Sequence, residues 1–72
     1  MSDEAMRWEV ARNNLGGLLG ELREEHASLF DHGYITDAAV VARRFGEVAE
    51  LLERWPRWTD AERARVADLL EE

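Results

Sequence analysis

Between Ile35 and Trp58 the apolar residues Ala38, Val41, Phe45, Val48, Leu52 and Trp55 recur at alternating spacings of three and four. That rhythm is the mark of a continuous helical seam. Gly46 lies inside the run, and a glycine in a helix interior costs roughly 1 kcal/mol relative to alanine. The stretch therefore reads in two incompatible ways. It is one unbroken packing helix, or two shorter helices joined by a turn at Gly46, and the rest of the chain has to be arranged around whichever holds. The uninterrupted spacing favours the first without excluding the second.

On the N-terminal side, Trp8, Ala11, Leu15, Leu18, Leu22 and Leu29 form a second seam, widened by Met6, Val10, Leu19 and Phe30. A stripe this broad predicts a helix buried against two neighbours. Ser2 or Asp3 can cap its start, and Asp3, Glu4 and Glu9 suit the positive end of the helix dipole. Gly16-Gly17 interrupts the pattern, yet the apolar phase continues unchanged through Leu18 and Leu22, so the helix is expected to run on. Gly33 supplies a stop, with Tyr34 or Ile35 expected to pack back on the last turn. Thr36 is the expected cap of the next helix, and Pro56 ends it. Thr59 and Glu62 are spaced as a capping box for a third helix whose apolar face is Val66, Leu69 and Leu70. The expected architecture is all-α, with helices at about 3–32, 37–55 and 60–71 in one domain spanning residues 1–72.

At 1.5 Å per residue the first two helices measure roughly 42 and 28 Å. The second cannot cover the first. In an antiparallel hairpin Trp55 falls opposite Asn14 to Gly16, so Trp55, joined by Trp58, is expected to fill the notch at Gly16-Gly17. A chain of 72 residues buries only about 60% of the surface its unfolded form exposes. It has no cysteine and no zinc-type ligand set to supplement that core. A second copy completing a helical bundle is the expected remedy, which makes a homodimer.

The formal charge is −7, and all nine basic residues are arginine. Affinity for nucleic acid comes largely from clustered positive charge, so a phosphate backbone is not the expected partner. No apolar run approaches the ~18 residues of a membrane span, and the N-terminus lacks a signal-peptide pattern; the reading is cytoplasmic. Neither a nucleophile beside a base nor a phosphate-binding glycine loop is visible, so no enzyme activity and no cofactor are expected. Glu21, Glu24, Glu25 and His26 lack the Glu-x-x-His step of di-iron bundles and read as a solvated acidic face. His26 and His32, near the apolar side, read as structural histidines.

One resemblance bears on residues 36–57. Ala42 stands where a small residue is wanted, Gly46 four positions later as the turn glycine, and Leu52 and Trp55 at buried positions of a second helix. In this the stretch resembles the helix-turn-helix of small phage and bacterial regulators of the excisionase type. That resemblance implies DNA binding through Arg43, Arg44, Arg54 and Arg57. The sequence departs from the pattern at Glu47, usually apolar, and at Glu50 and Glu53, where base and phosphate contacts belong.

Three tryptophans in so short a chain point elsewhere, because Trp and Arg concentrate at the energetic centres of protein interfaces. Trp55 reads as core; Trp8 and Trp58, near helix ends, read as interface. The expected partner-binding surface is Met6, Trp8, Val10, Leu15, Trp58 and Leu69. The function expected from the sequence is a non-enzymatic acidic helical module that binds protein: an adaptor, an accessory subunit or an inhibitor of a basic surface. The helix-turn-helix regulator is the alternative.

Overall fold

Helical periodicity becomes helix along nearly the whole chain. The computed structural model describes residues 3–71: α1 is Asp3–Asp31, α2 is Ile35–Arg54 and α3 is Asp60–Glu71. Among the described residues there is no strand. Asp3 and Glu4 occupy the first turn of α1; Ser2, the other candidate cap, lies outside the described residues. α1 passes through Gly16, Gly17 and Gly20 without a break. Its buried residues Ala11, Leu15 and Leu22 belong to the expected seam.

The end of α1 is set by Gly33, which takes φ 81°, a conformation that strains any residue with a Cβ. The Tyr34 amide then donates to the Leu29 carbonyl at 2.9 Å and the Gly33 amide to Phe30 at 3.1 Å, the paired bonds of a Schellman ending. This tight exit starts α2 earlier than the sequence suggested. Tyr34 is the N-cap, without a side-chain cap bond, and Thr36 falls within the first turn instead of capping it. Tyr34 and Ile35, expected to pack back on α1, stand largely in solvent at 59% and 58% exposure.

α2 continues through Gly46, so the unbroken helix is the form the chain adopts. Its buried residues are Ala38, Val41, Val48 and Leu51. Leu51 displaces Leu52 from the expected seam, because a helix of 3.6 residues per turn drifts against a strict heptad and α3 approaches on the Leu51 side. Trp55 adopts an extended conformation (ψ 138°) ahead of Pro56, as expected of a residue preceding proline.

That extended step moves the tryptophans away from the place predicted for them. A Cβ added at Gly16 or Gly17 would meet nothing within 4 Å, so no indole fills the notch. Trp58 instead enters the core at 5% exposure, where its Nε1–H donates to the Leu51 carbonyl at 2.6 Å. Trp55 and Trp8 meet it edge-on at centroid distances of 4.9 and 6.3 Å. The interface assignment of Trp58 is thus corrected, since Trp58 is core; Trp55, read as core, is partly buried and packs against that core.

α3 begins with the anticipated capping box. The Thr59 amide donates to Glu62 Oε1 at 3.0 Å, and the Glu62 amide to Thr59 Oγ1 at 3.1 Å. Val66 and Leu69 are buried and Leu70 partly so. Because Trp58 touches Trp8 while Leu69 and Leu70 lie beside Asn14, Gly17 and Leu18, α3 runs parallel to the first half of α1. α1 packs on both other helices. The result is a rod of 47 × 20 × 18 Å with a radius of gyration of 13.6 Å, against about 11 Å for a globular chain of this length. Among the described residues, Leu15, Val48 and Val66 are the large side chains removed completely from solvent.

Trp58→Phe keeps the ring but orphans the Leu51 carbonyl, and a urea melt should show a loss of about 1–3 kcal/mol. Thr59→Ala should cost about 1 kcal/mol through loss of the cap, read in the same melt.

Candidate interaction surfaces

One flank of the α1–α2 hairpin is closed by α3. Arg65 donates from Nε and Nη2 to the two oxygens of Glu47 at 2.6 and 2.9 Å, a bidentate pair across the α2–α3 seam. Arg54 reaches the Glu62 carboxylate, its Nη2 at 3.3 Å from Oε1. The bond from Arg65 holds the Glu47 carboxyl below its ordinary value of 4.5. The Thr59 amide, followed by Arg54, does the same for Glu62.

Among the described residues no third helix covers the other flank. Gly16, Leu19, Gly20, Arg23, Ala27 and Phe30 climb one edge of α1 at helical spacing. Ala38, Ala42, Phe45, Ala49 and Leu52 do the same on α2. Between the two edges lies a furrow of about 210 Å³ lined by Arg23 and His26 of α1 and Ala42 and Phe45 of α2. Leu19, His26, Phe45, Ala49 and Leu52 are only partly buried, and Phe30 is 59% exposed. His26 stacks on Phe30 at 6.1 Å, so it belongs to this apolar edge rather than to an acidic cluster. Added Cβ atoms at Gly16, Gly20 and Gly46 would all enter open space. Nothing among the described residues crowds those positions into being glycine.

The partner-binding residues expected from sequence divide into two groups. Leu15, Trp58 and Leu69 are 0%, 5% and 3% exposed; they hold this chain's own helices together and offer no surface to another. Met6 and Val10, 53% and 51% exposed, form a short apolar strip on the outer edge of α1. Trp8 is partly buried, with the guanidiniums of Arg7 and Arg63 over its ring at 5.2 and 5.7 Å. The furrow itself was missed as a site, although Leu19 and Phe30 beside the seam were its signal.

Of the four arginines of the helix-turn-helix reading, Arg43, Arg44 and Arg54 lie on one continuous helix and Arg57 follows it. The turn at Gly46 that would separate its two helices is absent from α2. Arg54 is engaged by Glu62, Arg44 lies in the field of Glu47, and Arg43 is eleven residues from Arg54, about 16 Å along the axis. Among the described residues no group of three or more His, Asp or Glu side chains is placed to hold a metal ion, and no helix is long and apolar enough to cross a membrane. Compared with known proteins, the chain matches no protein family, no curated sequence and no solved structure.

Both lowered carboxyls contribute stability that is present above their ordinary value of 4.5 and lost as pH falls through their folded values. Acidification below pH 4.5 should therefore loosen α3 from α2. Urea melts across that range should show a shallower fall for the Glu47→Gln, Glu62→Gln double variant than for the parent chain.

Proposed function

We propose that this chain is a non-enzymatic helical interaction module that acts by joining the open flank of its α1–α2 hairpin to another polypeptide, a second copy of itself in the first place. The observation that carries the reading is the furrow: a mainly apolar edge, partly exposed, on a rod whose own core contains few fully buried side chains. Helix-interior glycines with open space above them support it, since they weaken the isolated helix and allow another backbone to approach closely. Met6, Val10 and Trp8 offer a second, smaller contact area. With a charge of −7, the paired rod would serve as an adaptor, an accessory subunit or an inhibitor that docks on a basic protein surface, association being quickened by charge and slowed by salt. A cytoplasmic location is part of this reading.

Sedimentation across a wide concentration range tests it, the expected result being a monomer–dimer equilibrium; a chain that stays monomeric at millimolar concentration refutes it. Gly16→Ala and Gly20→Ala should each raise the stability of the dilute monomer by about 0.5–1 kcal/mol while weakening self-association. Unchanged or tighter association in both variants would remove the furrow from the interface.

A further inference from the structure

The attachment of α3 to the rest of the chain is uneven along its length. Just before its start, Trp58 is buried and donates its indole N–H to the Leu51 carbonyl at 2.6 Å, with Trp8 and Trp55 against its edges. Those three partners lie on α1 and at the end of α2, outside α3. Beyond Trp58 the hold weakens. The buried residues of α3 are Val66 and Leu69, and beside Leu69 and Leu70 a cleft of about 370 Å³ opens against α1, where Asn13, Asn14 and Glu21 line it. The two ion pairs to α2, Arg54 with Glu62 and Arg65 with Glu47, are partly in solvent, where such pairs hold weakly.

With 12 residues, α3 is also of a length at which a helix off its support is marginal in water. Undocking and unfolding of α3 are therefore one event. The α1–α2 hairpin is bound together more firmly. α1 packs far more extensively on α2 than on α3, and the two helices of the hairpin supply most of the buried residues. Proteins open in contiguous units whose free energies range from near zero up to that of global unfolding, and a unit with few buried apolar contacts lies at the low end. α3 meets that description, and Trp58 does not.

We infer that α3 is a hinged strap, which opens as a unit about Thr59 while Trp58 stays latched on Leu51 and the α1–α2 hairpin stays folded. Opening removes Val66 and Leu69 from the cluster they complete with Leu15, Val48 and Leu51. For as long as the strap is off, the closed flank of the hairpin is a second apolar face. This device lies on the flank opposite the furrow and goes beyond the function proposed above, since it holds whatever the furrow binds.

Native-state hydrogen exchange on the full chain, read residue by residue by NMR in low urea, tests this. The amides of Ala64 to Leu70 should exchange through one common opening, on the order of tenfold or more as populated as the one that exposes the best-protected amides of α1 and α2. The Trp58 indole N–H should exchange with the hairpin and not with α3. Gly46→Ala supplies the second arm, because the added Cβ enters open space on α2 and stabilises a helix that the strap leaves behind. It should slow exchange of the hairpin and of the indole by about two- to fivefold and leave α3 unchanged. Equal protection of α3 and the hairpin, or α3 slowed together with the hairpin in Gly46→Ala, would mean that α3 leaves only when the whole chain unfolds, which overturns the strap. Protection that declines residue by residue along α3 would be fraying and overturns it too. An indole that exchanges with α3 would place the hinge before Trp58 and refute the latch.

Discussion

The length of α1 is the constraint on which the structure depends. It has 29 residues, while α2 has 20 and α3 has 12. Neither neighbour can cover α1 alone, and each covers a different part of it. α2 folds back from the turn and α3 doubles forward along the N-terminal half. Both leave the same flank bare, because α3 can dock on only one side of the α1–α2 seam. The elongated shape, the shortage of fully buried side chains and the exposed apolar edge are consequences of that one mismatch.

The junction between α2 and α3 is where the small core is made secure. Pro56 forces Trp55 out of the helix, and the chain then turns so that Trp58 points back under α2. There its indole does two things at once. It fills the gap between α1, α2 and α3, and it satisfies the Leu51 carbonyl near the end of α2, where helix carbonyls lack intrahelical partners. Glu62 adds a third link by capping α3 and receiving Arg54 from α2 with a single carboxylate. A short helix of 12 residues is marginal in isolation; these contacts supply what its own backbone cannot.

The bare flank differs in kind from the closed one. Across the α2–α3 seam, charges are matched within the chain, as with Arg65 and Glu47. Along the furrow the charges are sparse, exposed and unmatched among the described residues, and the surface between them is glycine, alanine, leucine and phenylalanine. Single exposed apolar residues need no explanation, but a contiguous edge of them is the ordinary mark of a docking surface. That contrast is why the functional reading rests on the furrow and not on the tryptophan end, where Trp58 is already buried within the chain.

Local signals determined the helices. The three-and-four spacing identified α1 and α2, including the passage of α1 across Gly16-Gly17, and Thr59 with Glu62 marked the start of α3, because periodicity and capping act over a few residues and are written in the chain itself. The sequence left Gly46 open; a lone glycine weakens a helix without breaking it, and the packing of Val41 and Val48 on either side decided the matter. Placement of the large rings was legible only in three dimensions. Two ordinary backbone facts, the extended step at Trp55 and the side on which α3 docks, carry Trp58 into the core with Trp55 packed against it and turn Leu15 and Leu69 from surface candidates into core. Which flank stays uncovered depends on that same long-range choice, since helical spacing marks a face as apolar but carries no information about which neighbour will arrive to cover it.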